Sequence, residues 1–358
     1  MKQYSQQKKQ FFHNDRVMVK RVWQKLVTLI AISVLSVFVA APSYSTERNY
    51  QLSTGMSNGD FYPIGIALKT LLALKRTNKK HIVIDVHQSK GAKANLIALL
   101  EGKVDMAFVD ASTIFAAFRK KPPFDKYKNI GELQALAALW PDIAHFIIHQ
   151  EQVNTGDVGD FRNLIGESVS LGAKTSASAY ASRNLFNKIG LYYDKMFRMP
   201  DYGTYQSAEA YIEDTISGIA LFTHQGDKNI ARVLKNPNSA STLLRINGKN
   251  LKKLNQTEVP IWQRHIIEAN TYPNQPTPVS SISQSNFLVV RQDFNTNDAY
   301  TLVKILFDNL TFVTALHDAA KQIRVEASND GMILPLHPGA KRYFVEREKC
   351  TGAFCLFN

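Results

Sequence analysis

Gln51-Leu-Ser-Thr-Gly-Met-Ser-Asn-Gly-Asp-Phe-Tyr-Pro-Ile-Gly65 reads as a short strand, a loop of Gly, Ser and Asn, and a helix that opens near Pro63. The first amides of a helix have no intrahelical partner and carry the positive end of its dipole, so such a junction offers an acidic small molecule a seat. The same transition returns at Val109-Asp110-Ala-Ser112 and at Leu171-Gly-Ala-Lys-Thr-Ser-Ala-Ser178, where strands give way to small hydroxyl residues at helix starts. Three junctions of one kind point to loops that converge on one ligand.

Outward from these junctions, apolar periodicity alternates strand and helix from Tyr50 onward, which makes the chain α/β. Among the expected strands are Gln134 to Leu139, Phe146 to His149 and Phe287 to Val290; among the expected helices are Pro63 to Leu74 and Ser176 to Lys188. At 358 residues the chain has room for two domains. Trp140-Pro141 and the Pro-rich Tyr272-Pro-Asn-Gln-Pro-Thr-Pro278 read as two crossings between them, because proline stops a helix and fixes chain direction. Residues 46–140 with 274–345 then form one discontinuous domain, 141–273 the second, and 346–358 a tail. Two crossings allow closure about a ligand held between the domains.

Residues 1–45 read as a secretory signal. Lys2, Lys8, Lys9, Arg16, Lys20, Arg21 and Lys25 precede an apolar run from Leu26 to Ala41, followed by small residues that place cleavage near Ser43 or Ser45. The run is short for a transmembrane helix, with an uncleaved anchor as the alternative, and no Cys near the boundary suits a lipid anchor. This segment holds seven Lys or Arg and one Asp, so the rest of the chain carries about +7 of the formal +13. That remainder is scattered, without the aromatic-interleaved basic stripe that nucleic-acid binding uses. In an exported chain Cys350 and Cys355 most simply close a small disulfide loop that pins the tail. A metal there would need two further ligands, with only His337 near in sequence.

Asn58-Gly-Asp-Phe-Tyr-Pro-Ile-Gly65, Gly91-Ala-Lys-Ala-Asn95, Leu100-Glu-Gly-Lys-Val-Asp-Met-Ala-Phe-Val-Asp110, Ala269-Asn-Thr-Tyr-Pro-Asn-Gln275 and Leu334-Pro-Leu-His-Pro-Gly-Ala-Lys-Arg-Tyr-Phe344 occur in that order. Together they resemble the TAXI subgroup of TRAP-transporter solute-binding proteins. The resemblance implies a periplasmic, two-domain α/β binding protein of type II, with the ligand cleft between domains. Such a protein is expected to act as a monomer, to capture a small organic anion such as a dicarboxylate or glutamate, and to deliver it to TRAP permease subunits. The chain departs from the pattern where Gly-Ala-Pro-Gly-Ser-Gly-Thr becomes Gly172-Ala-Lys-Thr-Ser-Ala-Ser178, where Gly-Ser-Val becomes Gly91-Ala-Lys93, and where Ala-Gly-His-Pro becomes His224-Gln-Gly-Asp227.

The expected ligand contacts are Ser57, Asn58 and Tyr62 in the first loop and Thr175, Ser176 and Ser178 in the third, each of which also suits helix capping. Lys93 and Lys174 would favour a strongly acidic ligand if they face the cleft, and are otherwise ordinary exposed lysines. Asp110 and Ser112 are candidate contacts at the second junction, with capping the alternative for Asp110, while Asn95 reads as support for its loop. Gly55-Met-Ser-Asn-Gly59 fits the nucleophile turn of α/β-hydrolases and would make Ser57 a nucleophile, but that turn needs strands before it that the chain lacks. No spaced metal-ligand pair or phosphate loop occurs, so no enzyme, cofactor or metal is expected. A receptor that reports its ligand to a membrane sensor would present the same motifs as one that feeds a permease.

Overall fold

A computed structural model describes residues 47–57, 59–75, 81–236, 240–256, 261–325 and 332–350. The signal segment, Asn58 and Cys355 lie outside the described residues, and the expected disulfide with them. Along the chain run β1 (Glu47–Ser53), α1 (Phe61–Leu74), β2 (His81–His87), α2 (Ala92–Leu100), β3 (Met106–Asp110), α3 (Ala111–Phe118) and β4 (Leu133–His149). Then come β5 (Val169–Ser170), α4 (Ala177–Ile189), α5 (Tyr193–Met196), α6 (Thr204–Ile212), β6 (Gly218–Thr223), α7 (Lys228–Lys235), β7 (Ser241–Leu243) and α8 (Gly248–Leu254). The chain continues with β8 (Gln263–Ile267), β9 (Val279–Arg291), α9 (Thr296–Asp308), α10 (Leu310–Leu316) and α11 (Pro338–Cys350).

The strands form one mixed sheet in the order β2-β1-β3-β9-β4-β6-β5, with β7 added to β4 and β8 to β9. β1 lies parallel to β2 and β3, and β5 parallel to β6, whereas β9 runs antiparallel to β3, β4 and β8. Two long strands join the halves. Residues Asn286 to Val290 of β9 pair with β3, and Val279 to Ser283 pair with β8; the start of β4 pairs with β9, and its Ile143 to Ile148 pair with β6.

The two strands expected at Gln134–Leu139 and Phe146–His149 are therefore one, β4, which runs through the expected crossing at Trp140-Pro141. A proline has no N–H to give a ladder, and the pairing of β4 with β9 shifts register between Ala138 and Pro141, where that donor would be missed. β9 likewise begins well before the expected Phe287, because Ser280, Ser281, Ser283 and Ser285 mask its first half from a reading based on hydrophobicity.

Both faces of β4 are buried, which explains its nearly unbroken apolar sequence. Ile143 and Ile147 enter a smaller core with Tyr211, Ile219 and Val233, while Ala144, Phe146 and Ile148 enter the larger one. Burial of each such large side chain contributes about 1.5–3 kcal/mol. Polar pins fix the edges of this core. In β1 the Arg48 guanidinium (2.7 Å) and the Tyr50 hydroxyl (2.6 Å) both donate to the buried Asp298 in the first turn of α9. His337 donates from Nε2 to the Phe294 carbonyl (3.0 Å) and accepts the Gly339 amide at Nδ1 (3.2 Å), so the Leu334–Phe344 motif sets the start of α11.

Candidate functional site

A cavity of about 160 Å³ lies beyond the C-terminal ends of the parallel strands, the side on which open α/β sheets bind ligands. Gly55, Asp60 and Phe61 reach it after β1, and Lys90 to Ala92 after β2. From the other half of the sheet come Gly172, Ser176 and Ser178 after β5, Gly203 and Thr204 at the start of α6, and Phe222, Asp227 and Asn229 around the end of β6. Asp142 enters from β4 itself.

Two glycines shape the wall. Gly91 opens α2 at φ 107°, and a Cβ there would lie 3.5 Å from the Thr175 carbonyl, so the loop after β2 meets the third expected junction at this point. Gly172 has φ 97°, and a Cβ would press against Ser176 Oγ (3.1 Å) and the Ala179 amide (3.2 Å). Both are backbone conformations that L side chains rarely adopt.

The helix starts at the cavity fall into two kinds. Ser176 Oγ caps α4 by accepting the Ala179 amide (3.1 Å), and Asp227 Oδ1 caps α7 by accepting the amides of Asn229 (2.7 Å) and Ile230 (3.3 Å). Neither α1 nor α2 has a side-chain cap. Their first amides have no side-chain acceptor among the described residues and are donors for the cavity, as is the start of α6 at Gly203, and Lys90 adds a cation beside them.

Three aspartates face these donors. Asp227 is held by its capping bonds and by the Thr223 hydroxyl (2.9 Å). Asp60 lies 3.2 Å from His224 Nδ1 and 3.8 Å from His317 Nε2. Burial alone would lower the His224 pKa, but the Asp60 hydrogen bond and the nearby carboxylates outweigh it and raise the imidazolium above its ordinary value. Asp142 differs from both: it is 7% exposed and makes no ion pair among the described residues. Burial holds its carboxyl well above the usual carboxylate range and the Asp60 charge adds to this, against a hydrogen bond with Asn286. Beside it on β4 and β9, Trp140 Nε1, Gln284 Nε2 and Asn286 Oδ1 are buried with no hydrogen-bond partner among the described residues.

Of the residues expected from sequence, Ser176 and Ser178 line the cavity; Ser176 caps α4 and Ser178 Oγ accepts the Phe222 amide (2.8 Å). Ser57, Tyr62, Lys93, Lys174 and Thr175 lie off the lining, all exposed except the half-buried Tyr62. Ser57 makes no hydrogen bond to a histidine among the described residues. Asp110 is buried and caps α3 through Thr113, and the Ser112 amide donates to Gln284 Oε1 (3.1 Å). Asn95 ties β1 to β3, accepting the Ser53 hydroxyl (2.7 Å) and donating to the Phe108 carbonyl (2.8 Å). The sequence reading missed Asp60, Lys90, Asp142, Gly203, Phe222 and Asp227 as lining residues. A lone Asp inside an apolar strand was the signal for Asp142.

A family model described as NMT1-like matches residues 52–347. The chain belongs to the NMT1-like family. Among solved structures, this NMT1-like chain is similar to MatC from Rhodopseudomonas palustris with bound malate, at 13% identity and TM-score 0.50, over 86% of this chain and 99% of that one. A TctC solute binding protein from Polaromonas matches at 16% identity and TM-score 0.46, covering 86% and 99%. The periplasmic aliphatic sulphonate binding protein SsuA from Escherichia coli matches at 12% identity and TM-score 0.43, covering 87% and 94%. The NMT1-like chain thus shares the α/β mixed-sheet fold of MatC, and α/β is the class its sequence led us to expect.

Proposed function

We propose that this chain is an exported, periplasmic solute receptor of TAXI type that captures a small organic anion bearing an amino group, glutamate being the simplest example. In this reading β1 to β3 and β5 to β8, with their helices, are two domains that close on the ligand about β4 and β9. The observation that carries it is the pairing of uncapped helix starts at α1 and α2 with the buried carboxyl of Asp142, which has no ion pair among the described residues, across one cavity. A ligand carboxylate satisfies the helix amides, and a ligand ammonium satisfies Asp142 in its ionised form. Delivery to a TRAP permease by a monomeric receptor is supported by the order of the TAXI-like motifs.

The raised carboxyl of Asp142 also supports a second ligand, a plain dicarboxylate that accepts a hydrogen bond from the protonated acid. Calorimetric titration with L-glutamate, L-aspartate, malate and succinate in buffers of different ionisation enthalpy separates the two. Binding of an amino acid should be accompanied by proton release as Asp142 ionises, at any pH where the unliganded carboxyl still holds its proton. Binding of malate or succinate alone, without proton release, selects the dicarboxylate, and heat from none of the four overturns the proposal.

A further inference from the structure

On the far side of β4 from Asp142 lies a second cavity, of about 340 Å³. Leu139 and Pro141 of β4 and Ser283 and Ser285 of β9 form its floor, because neighbouring residues of a strand face opposite ways. Arg264 of β8 and Arg324, beyond α10, stand at its rim. Neither arginine makes an ion pair or hydrogen bond among the described residues. Ser283 is 4% exposed, lines the cavity, and has no hydrogen-bond partner there. His265 Nε2 meets Gln225 Oε1 at 2.7 Å, and burial holds this imidazole below its ordinary pKa, so it brings no fixed charge of its own. Glu268 acts on His265 through space, but no Asp or Glu among the described residues lines the cavity.

Two guanidinium groups without an ion pair among the described residues stand with a serine hydroxyl in a cavity to which no described residue brings a carboxylate. Guanidinium forks fit the oxygens of phosphate in pairs, and a hydroxyl donor serves a further oxygen. A water occupies roughly 30 Å³ of liquid, so the space exceeds what a single oxyanion fills. We propose that this cavity binds a phosphate group, either as the free ion or as the head of a small phosphate monoester. The site is separate from the ligand cavity and stands whether or not the receptor reading holds.

Phosphorus NMR line broadening and calorimetry on the full-length protein, with inorganic phosphate and with phenyl phosphate as probes, test this. Both arginines are exposed, so Arg264→Gln and Arg324→Gln should fold, which circular dichroism checks. Each change should weaken binding about tenfold or more, as loss of a charge-assisted hydrogen bond does. Ser283→Ala should weaken it less, and Asp142→Asn should leave it unchanged. Tighter binding of phenyl phosphate identifies a monoester site, and tighter binding of inorganic phosphate identifies a site for the free ion. No binding of either probe overturns the proposal, as does binding that survives the double arginine variant or is lost on saturation with a ligand of the first cavity.

Discussion

The two cavities lie on opposite sides of β4, and their charges are reversed. The cleft holds Asp60, Asp142 and Asp227 with Lys90, whereas the rear cavity holds Arg264 and Arg324 and no carboxylate among the described residues. The cleft draws its positive field from backbone, at the uncapped starts of α1 and α2, and uses side chains for the negative field. Among the described residues the rear cavity is lined by strands and loops with no helix start at its floor, so its positive field comes from side chains. Net charge of a lining is thus a poor guide to what it binds when helix amides face it.

The largest effect is expected from Asp142→Asn. Replacing a charge-assisted contact should weaken glutamate binding by about tenfold to a hundredfold, while binding of phosphate probes at the rear stays constant. The same change should stabilise the unliganded protein. Because burial raises the Asp142 carboxyl, the folded state keeps a proton that the unfolded chain gives up, so stability falls as pH rises from the ordinary carboxylate value towards the raised one. Asparagine removes that loss, and Tm at pH 7 should rise by about 2–4 °C for each kcal/mol recovered. A Tm that falls would show that Asp142 is satisfied in the unliganded protein.

Gly172→Ala comes next. Its positive φ and its tight contacts with Ser176 and Ala179 should cost about 1–3 kcal/mol in denaturant melts, with glutamate affinity reduced and phosphate affinity spared. Lys90→Gln should weaken any carboxylate ligand of the cleft only severalfold, because the lysine is exposed. Equal losses for glutamate and for phosphate would merge the two cavities into one electrostatic unit.

His224→Gln probes the contact of Asp60 with His224, which joins the loop before α1 to the loop after β6. The His224 pKa is raised, so its contribution is fully present below the unfolded value of 6.5 and is lost as pH rises through the folded value. Stability measured across that window should slope down in the parent and flatten in the variant. The smallest effect is expected from Lys93→Ala and Lys174→Ala, which should leave both cavities unchanged; a loss of glutamate binding would place those side chains at the ligand after all.

These ranks show which parts of the molecule could be read from the chain alone. Apolar periodicity marked α1 and α4, and the small-residue junctions after β1 and β5 marked two walls of the cleft. The lysines at the junctions drew attention because they stand where the resembled family has small or neutral residues, in loops expected to face the cleft. First-turn amides point along the helix axis, whereas side chains radiate outward, so Lys93 in the first turn of α2 ends in solvent, as does Lys174 in the turn before α4. Asp142 was hidden for the opposite reason. It follows Trp140-Pro141, a pair that suggests a break, and only the pairing of β4 with β9 across that proline shows that the carboxyl belongs to a buried strand. Arg264, Ser283 and Arg324 are separated along the chain and share no motif, so only folding brings them together.

Pro141 and Asp142 are neighbours in sequence, one facing the arginines and the other facing the ligand cavity. A single peptide unit is the partition between two chambers with contrary demands. Substitutions in this short stretch are judged twice, once from each side, so the stretch has less freedom to drift than its place in a long apolar strand suggests.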